Sequence, residues 1–238
     1  MSETTPDPNV PLRLTERTTL RRHPERGSLD RALAHAILDE AFVAHIGFVT
    51  SLGPMVIPTV YGRHGDTLYF HGSQASRMMQ TLGEGAPLCF TVTLVDALVL
   101  ARSAFYHSAN YRSVVLMGCA RAVVDPAEKA LASRVMVDHV VAGRSREVRM
   151  PHDKELRATA ILALAIDEGS VKVRRGPPSD APEDLASESP YRATWAGIVP
   201  LAHTALNPIA DDHVSAGTVA PSRARFVRRA RTGLADDG

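Results

Sequence analysis

Residues 70–82 place two serines and an arginine where a β-prone run ends and a helical run begins. The stretch reads FHGSQASRMMQTL, with Ser73, Ser76 and Arg77 around the junction. A helix N-terminus offers unpaired N–H groups and a positive dipole end, so backbone, hydroxyl and guanidinium can bind a phosphate there together. The alternative is that Ser73 caps the helix and Arg77 is a solvated side chain. The stretch alone leaves both interpretations open.

A proline inside a predicted strand marks a second candidate. Pro58 lies within PMVIPTVYG. A proline removes one hydrogen-bond donor from a β-ladder and is usually found on an edge strand or at a bulge, and bulges often lie beside binding sites. Ile57, Pro58 and Thr59 could therefore present backbone groups and a hydroxyl to a planar ligand. A plain edge strand explains Pro58 equally well.

The third candidate is the segment FYHSANYRSVV at 105–115, which concentrates aromatic and polar residues in a chain that is only 5% aromatic. One interpretation is a loop that brings Arg112 and Ser113 to a strand end at a binding site. The other is that the two tyrosines cover the end of a barrel and Arg112 pairs with an acidic residue. The single tryptophan, Trp195, has a similar choice: it folds back as a hydrophobic anchor, or it contacts a ring ligand or a second subunit.

Several classes of site are excluded because their motifs are missing. None of the ten histidines is spaced as HxH, HxxxH or HExxH, so no metal site is predicted. The chain has no GxSxG nucleophile elbow, no GxGxxG fingerprint and no P-loop. Cys89 and Cys119 lie alone in apolar runs, which indicates reduced thiols.

Length and charge set the class of protein. The chain has 238 residues, 45% of them hydrophobic, which fits one main domain. Its formal net charge of +1 does not give the strongly positive surface potential that is typical of nucleic-acid-binding proteins. No apolar stretch is long enough to span a bilayer, so the sequence predicts a cytoplasmic protein without a membrane partner. A short basic run near the end could contact an anionic surface, but such runs are more typical of solvated extensions; it comprises Arg223, Arg225, Arg228, Arg229 and Arg231.

The elements around these residues alternate little between strand and helix. A helix is predicted from an N-cap at Ser28, followed by three short strands with turn sequences SLG and RHGD between them. The run APLCFTVTLVDALVLAR predicts one long strand or two strands broken near Val95–Ala97, and ATAILALAIDEGSVKVR predicts one further strand. About six strands and three helices result. Strands that follow strands directly favour an antiparallel barrel or sandwich over a doubly wound parallel sheet.

The chain divides into three predicted regions. Residues 1–27 lack apolar periodicity and form an N-terminal arm over the surface, and residues 28–175 form the main domain. Residues 176–238 form a C-terminal extension, in which a Pro/Ser/acidic linker leads to the Trp195 segment and the arginine-rich tail.

Taken in order, these pieces resemble the pyridoxamine 5′-phosphate oxidase-like FMN-binding split-barrel superfamily, and within it the branch of nitroimidazole-resistance proteins. The resemblance covers about residues 17–174. It is carried by LDRALAHAILDEAFVAHIGF, PMVIPTVYGRHGDTLYFHG, SQASRMMQTL, CFTVT and HSANYRSVVLMGCARAVVDPAEK, with an echo in TWAGIVPL.

The resemblance implies a mainly β fold, an antiparallel Greek-key split β-barrel with flanking α-helices, which forms a homodimer with FMN in clefts between the subunits. The residues implied to bind the cofactor are Ile57, Pro58 and Thr59 along the flavin ring; His71 and Gly72 at the strand end; Ser76 and Arg77 at the phosphate; Thr91 and Thr93 near the ring or ribityl chain; and Arg112, Ser113 and Trp195 from the partner subunit.

The resemblance also implies an FMN-dependent oxidoreductase that reduces a small acceptor, a nitro compound or a quinone, with a nicotinamide donor. His71 and His107 are the candidates for proton delivery. The superfamily includes haem-binding and deazaflavin-binding members, so both cofactors stay open. A binding or storage module without turnover, and a barrel that has lost its pocket and serves as an interaction protein, are the competing hypotheses.

Overall fold

A computed structural model describes residues 10–215 and 217–221 of the chain; the predicted arginine-rich tail lies outside these residues. The described strands are β1 Gly27–Ser28, β2 Val43–Thr50, β3 Gly53–His64, β4 Thr67–Ser73, β5 Pro87–Leu100, β6 Ser108–Cys119, β7 Arg121–Ala122, β8 Thr159–Ala165, β9 Glu168–Arg174 and β10 Gly197–Pro200. The described helices are α1 Arg31–Glu40, α2 Arg77–Gly83, α3 Pro126–Val140, α4 Asp153–Ala158 and α5 Pro182–Leu185, with 3-10 turns at Pro24–Arg26, Ala104–Tyr106 and Arg144–Arg146.

The strands form one antiparallel path in the order β1-β9-β6-β5-β2-β3-β4-β8-β7, and β10 pairs with β5. The long strand β3 belongs to two halves of this path. Its first part pairs with β2 from Gly53 to Val60, and its last part pairs with β4 from Tyr61 to His64. The predicted mainly β fold, an antiparallel split barrel with flanking helices, is confirmed.

Helix α1 supplies one side of the core because its apolar residues recur on one face. Ala34, Ile37 and Leu38 are fully buried in the same cluster as the inward side chains of the barrel strands. The N-cap is Asp30, whose carboxylate accepts from the Leu33 N–H at 3.1 Å, so the predicted cap at Ser28 is wrong. The N-cap residue immediately precedes the first residue of a helix, and α1 begins at Arg31, so Asp30 rather than Ser28 occupies the N-cap position.

Two further predictions concern strand continuity. The predicted break near Val95–Ala97 is a bulge inside one continuous strand, β5. The run predicted as a single strand from 158 to 174 is two strands, because β8 pairs with β4 and β9 pairs with β6 in the other half of the path. Both strands are buried over most of their length, so the run lacks the alternation that would reveal the turn between them.

The N-terminal arm, which the sequence predicts to lie over the surface, is partly buried in the core of the domain. Leu12 is 2% exposed and belongs to the core, and its N–H donates to the Leu29 carbonyl at 2.8 Å. Arg13 forms a β-bridge with Glu168 at the start of β9. The part of the arm that the structure describes is therefore anchored in the body of the domain.

The segment after β9 is attached to the barrel at several points. The Arg102 guanidinium contacts the Asp180 carboxylate at 2.6 Å, and β10 adds to the second half of β5. Beyond Pro200, the described residues contain no helix or strand. Among the described helices, none has the length and apolar content needed to cross a membrane.

Candidate functional site

The two halves of the sheet separate beside the β3–β4 hairpin. The ladder between β3 and β4 ends at the pair Tyr61 and Phe70. Continued, it would pair Thr59 with Gly72, but the first part of β3 turns to β2 while the end of β4 stays with β8. Residues 57–60 and 71–73 therefore lie on two stretches of strand that no longer pair with each other, and we call this place the split. The predicted residues Ile57, Pro58, Thr59, His71 and Gly72 all lie at this place.

Helix α2 begins beside the β4 side of the split. Ser76 is its N-cap residue by position, yet the Ser76 side chain makes no capping hydrogen bond. Arg77 is exposed, and no carboxylate among the described residues pairs with its guanidinium. Ser73 makes a local bond instead, accepting from the Ala75 N–H at 3.2 Å. Of the two parts of the alternative interpretation, capping by Ser73 is wrong, whereas the solvated Arg77 is observed. Ser76 makes no capping bond and Arg77 has no carboxylate partner among the described residues, so the phosphate site stays a prediction.

Gly72 allows α2 to lie directly on β4. A Cβ atom at Gly72 would meet the Met79 side chain at 2.8 Å. Met79 and Leu82 are buried against the barrel, so α2 is held by its apolar face. This packing fixes Ser76 and Arg77 relative to the end of β4.

A second arginine lies next to the same strand end. The Gln74 side chain donates to the Arg157 carbonyl at 2.5 Å, and the Gln74 N–H donates to the Ala158 carbonyl. The Arg157 side chain is exposed, and no carboxylate among the described residues pairs with it. Two exposed arginines, Arg77 and Arg157, therefore have their backbones close to this strand end, and neither pairs with a carboxylate among the described residues.

The outer face of the sheet continues from the split across three strands. Pro58 lies opposite His45 on β2, and His45 lies opposite Thr91 on β5. Residues directly opposite one another in an antiparallel ladder point to the same face. Pro58 itself lies where the other edge of β3 is unpaired, so the edge-strand prediction is confirmed.

Side chains of the remaining β3 and β5 candidates point in different directions. Ile57 packs against the core, and Thr59 lies opposite the fully buried Ala44, so both face inward. Thr93 lies opposite Ser113 on the outer face, and the Ser113 hydroxyl donates to the Lys172 carbonyl at 3.3 Å. The outer face thus carries Pro58, Thr91, Thr93 and Ser113.

Arg112 is paired within its own chain. Its guanidinium contacts the Glu40 carboxylate at 2.5 and 2.8 Å and the Asp96 carboxylate at 2.6 and 2.9 Å. The hydrogen bonds to these two carboxylates raise the pKa of Arg112. Of the two interpretations of residues 105–115, the pairing of Arg112 with acidic residues is the one observed. The cluster ties the end of α1 to the bulge of β5 and to β6.

The remaining predicted residues are spread more widely. His71 Nδ1 lies 3.3 Å from the Met136 sulfur, and burial lowers the pKa of its imidazole even though part of the residue is exposed. His107 donates from Nδ1 to the Ser103 carbonyl at 2.9 Å in the β5–β6 connection. Trp195 is 63% exposed and packs over Gly197, which pairs with Leu100. His107 and Trp195 therefore lie at the far end of β5, away from the split.

Sequence reasoning missed His45 and Arg157. His45 is exposed between Pro58 and Thr91, and the alternation in AHIGFVT places it on the solvent face of its strand. That alternation was the available signal. Arg157 had none, because its approach to Gln74 depends on the pairing of β4 with β8.

Comparisons with known proteins identify the family. The profile described as pyridoxamine 5′-phosphate oxidase matches residues 30–173, which is more than half of the chain. The chain belongs to this family. The resemblance stated from the sequence is thereby confirmed. The match covers the barrel from the start of α1 to the end of β9, including the split, and no curated protein sequence matches the chain.

Solved structures of the family include two with substantial sequence identity. The flavocytochrome Anf3 from Azotobacter vinelandii is 39% identical over 88% of this chain and 95% of its own, with a TM-score of 0.79. The FAD and heme binding protein from Mycobacterium smegmatis is 38% identical over 84% of this chain and 96% of its own, with a TM-score of 0.77. A 5-nitroimidazole antibiotic resistance protein from Bacteroides thetaiotaomicron is 23% identical over 58% of this chain and 81% of its own, with a TM-score of 0.50, and shows the fold alone.

Proposed function

We propose that this chain is a flavin-binding redox protein that holds the flavin in the split. The observation that carries the proposal is the 39% and 38% identity to a flavocytochrome and to an FAD and heme binding protein, each covered over nearly its whole length. The flavin supplies hydride or electron transfer when bound, and the protein supplies binding, orientation and access. FAD is the flavin named for the second relative; FMN, expected from the sequence, stays a prediction.

The side chains around the split fit the phosphate end of a flavin. Arg77 has no carboxylate partner among the described residues, and the Ser76 hydroxyl makes no capping hydrogen bond. Both residues lie at the N-terminus of α2, next to β4. Charge-assisted hydrogen bonds of this kind are about twice as strong as neutral ones. A dinucleotide flavin has a second phosphate, and the exposed Arg157, whose backbone carbonyl lies against the Gln74 side chain just before α2, is the candidate to bind it.

The edge of β3 fits the ring of the flavin. The unpaired edge at 57–59 exposes backbone groups toward the split, and Pro58 presents a flat apolar surface next to His45 and Thr91. In this proposal Thr91 and Thr93 border the ring or ribityl chain, and Ser113 and Trp195 are supplied across a homodimer interface. Arg112 is omitted, because a flavin phosphate would have to displace two carboxylates from it.

A second proposed cofactor is haem, which both relatives named above favour. Haem iron binds a neutral imidazole. Burial lowers the pKa of His71 below its ordinary value, so this imidazole is neutral at pH 7, and His45 presents an exposed imidazole on the outer face. His71 and His45 are the candidate ligands nearest the split.

The proposed activity is reduction of a small acceptor, a nitro compound or a quinone, by electrons from a nicotinamide donor. His71 borders the split, where its neutral imidazole can relay a proton by accepting one from solvent before it donates one to the acceptor, whereas His107 lies at the other end of β5. If haem is also bound, the acceptor can be an electron-transfer partner instead.

The deciding experiment is to purify the chain from cells and record its visible spectrum. We expect the visible absorption bands of an oxidised flavin, and chromatography of the extracted cofactor separates FAD from FMN and from deazaflavin. A Soret band identifies haem, and its loss in His71→Ala but not in His107→Ala assigns the ligand. A chain without chromophore that also fails to bind FAD, FMN, deazaflavin or haem in titration is an interaction protein instead.

Turnover is a separate measurement. A bound flavin that is reduced by NADH or NADPH and reoxidised by a nitro compound or quinone supports the oxidoreductase. A bound chromophore that neither donor reduces supports the storage or carrier module.

A further inference from the structure

Three sulfur-containing side chains lie together on the outer face of the sheet. Cys89 on β5 lies directly opposite Met117 on β6, and Cys119 follows Met117 by two residues on the same strand. Residues directly opposite one another in an antiparallel ladder share a face, as do residues two apart along a strand. We call Cys89, Met117 and Cys119 the sulfur cluster. Neither cysteine forms a disulfide, and each of the three residues is partly or fully exposed.

The contacts of Cys89 agree with this placement and leave the cluster accessible. The Cys89 sulfur lies 3.4 Å from the hydroxyl of Thr91, which belongs to the outer face. Gly47 on β2 pairs with Cys89, and a Cβ atom at Gly47 would lie 3.8 Å from the Cys89 Cβ atom. Because Gly47 has no side chain, β2 does not cover the Cys89 thiol at this point. Together with the exposure of Cys119, this gives an ion from solvent access to the cluster.

A guanidinium lies close to both thiols. The Glu168 carboxylate holds the Arg17 side chain, and Glu168 lies opposite Met117 on β9. The hydrogen bond to Glu168 raises the pKa of Arg17 most, and the charges of the Cys119 and Cys89 thiolates raise it further. Arg17 is therefore near enough to both cysteines to interact with their charge. The thiolate is the form of cysteine that binds metals, and a cation at this place offsets the negative charge of two thiolates.

The spacing of the two cysteines suits a bridging metal ion better than a disulfide. Cys119 lies opposite Pro87, so Cys89 and Cys119 are diagonal neighbours in the ladder. The Cα atoms of diagonal neighbours are about 7–8 Å apart, whereas a disulfide requires a Cα separation of about 4.4–6.8 Å. An ion between two sulfurs adds two bonds of about 2.3 Å each, the length found with zinc. It therefore spans the larger distance without a movement of the strands.

The ligand types select a soft metal. Thiolates and thioethers favour Cu(I), whereas oxygen ligands favour Mg²⁺, Ca²⁺ and Mn²⁺. A closed zinc site has four ligands, usually cysteine or histidine, and the cluster supplies three sulfurs, one of them a thioether. The His45 imidazole lies opposite Thr91, one ladder step away, and the Glu168 carboxylate is occupied by Arg17 and Thr15. The set of ligands at the cluster is therefore composed of sulfur alone.

We propose that Cys89, Met117 and Cys119 form a Cu(I) site on the outer face of the sheet. Binding forms three copper–sulfur bonds and releases the two thiol protons, and the oxidation state of the copper does not change. The ion lies between β5 and β6, one ladder step from Thr91 toward the end of the sheet that carries the β2–β3 turn. The proposal goes beyond the proposed function and requires neither flavin nor haem.

The first test is copper binding by the full chain. Reduced protein is dialysed without oxygen against Cu(I) that is buffered by bathocuproine disulfonate, and elemental mass spectrometry measures the copper retained. We expect one Cu(I) per chain, and X-ray absorption at the copper edge should show sulfur neighbours alone. Failure to retain copper, or a first shell that contains nitrogen or oxygen, overturns the proposal.

Substitutions identify the ligands. Cys89→Ser and Cys119→Ser each remove a thiolate, and the affinity for Cu(I) should fall by more than the roughly 10- to 100-fold that loss of an outer partner of a metal site costs. Met117→Leu removes the thioether at nearly constant volume and should weaken binding about 10-fold. Met150→Leu changes a partly exposed methionine outside the ladder and is the matched control, which should leave the affinity unchanged. Because Cys119 is exposed, Cys119→Ser tests the site with little effect on the fold.

The other outcomes are distinguishable from this proposal and from the proposed function. Equal copper binding in the two cysteine variants and in wild type places the metal elsewhere and overturns the site. A Cys89–Cys119 disulfide, found by peptide mapping of protein prepared without reductant, overturns the spacing argument. Zinc retained as tightly as Cu(I) in a parallel dialysis overturns the selectivity. A chain that binds flavin but no copper loses only this proposal, whereas a chain that binds copper at the cluster without any chromophore loses only the proposed function.

Discussion

Two arginines of the candidate set illustrate how the surroundings of a side chain decide its role. Arg77 is exposed and has no carboxylate partner in the described chain, whereas Arg112 is held by Glu40 and Asp96. A phosphate at Arg77 gains charge-assisted bonds and displaces only water. At Arg112 it would have to replace two carboxylates already in good geometry. The same residue type is therefore available to a ligand at one place and holds two elements of the fold together at the other.

Arg77→Ala should weaken flavin binding. Loss of a charge-assisted contact to a phosphate costs about 1.5–3 kcal/mol, or roughly 10- to 150-fold in the dissociation constant. Isothermal titration of the cofactor-free protein with FAD and FMN measures this change. Arg175→Ala removes an exposed guanidinium after β9 and should leave the affinity within 2-fold. Equal affinity in Arg77→Ala and wild type would place the phosphate elsewhere.

Arg112→Ala should destabilise the fold rather than only affect the cofactor. The substitution removes the cation that the partly buried carboxylates of Glu40 and Asp96 share. We expect the free energy of unfolding to fall by about 3 kcal/mol, measured by urea denaturation of the cofactor-free protein. The triple variant that also carries Glu40→Gln and Asp96→Asn should recover part of the loss. A stable Arg112→Ala protein with reduced flavin affinity would instead support a ligand contact.

The N-terminal arm, an element that the sequence predicts to lie over the surface, is held by a buried carboxylate. The Glu168 side chain is 6% exposed, and it accepts from the Arg17 guanidinium at 2.6 and 2.7 Å and from the Thr15 hydroxyl at 2.6 Å. These hydrogen bonds, Arg17 first, lower the pKa of Glu168 to about 2. The arm is thus coupled to the start of β9 through the ionised form of one residue.

This coupling gives a pH dependence with a definite sign. A carboxyl whose pKa is lower in the folded state stabilises the fold fully above its unfolded value, near 4.3, and loses that contribution as the pH falls toward about 2. Glu168→Gln should therefore lower the free energy of unfolding by about 2 kcal/mol at pH 7. It should also flatten the decline of this free energy between about pH 4.5 and about pH 2, the window between the unfolded and folded pKa values. A variant with the same acid profile as wild type would contradict the coupling.

The contact between α3 and β3 depends on a glycine. A Cβ atom at Gly62 would lie 2.9 Å from the Met136 backbone, which cannot move without shifting the helix. Gly62→Ala should destabilise the fold by about 1–3 kcal/mol, measured by denaturant unfolding. At Gly47 the nearest atoms to such a Cβ lie 3.8 Å away, so Gly47→Ala is the matched control and should cost less than about 1 kcal/mol. Equal effects would show that β-strand propensity, not the close approach, decides the outcome.

Elements with local signals could be predicted, and contacts between distant elements could not. The Pro58 edge strand and the irregularity near Asp96 follow from local residue types, and both are observed. The partners of Arg112 depend on the pairing of β5 with β6 and on the end of α1, which no local spacing reveals. The split itself arises because β3 changes partner in mid-strand. Its location could be expected only from the family resemblance.

At the scale of the whole molecule, a bound flavin should stabilise the fold, because the split requires the folded arrangement of β3, β4 and α2. A ligand that binds only the folded state adds about 2.7 kcal/mol at a free concentration 100 times its dissociation constant. For a domain of this size that raises the Tm by roughly 5–10 °C, measured by differential scanning calorimetry with and without FAD. Arg77→Ala should need roughly 10- to 150-fold more FAD for the same increase. Adenosine monophosphate, which lacks the isoalloxazine ring, is the control that distinguishes recognition of the ring from recognition of the phosphate. If it raises the Tm as much as FAD does, the split recognises only a nucleotide phosphate, and the basis for a redox role is removed.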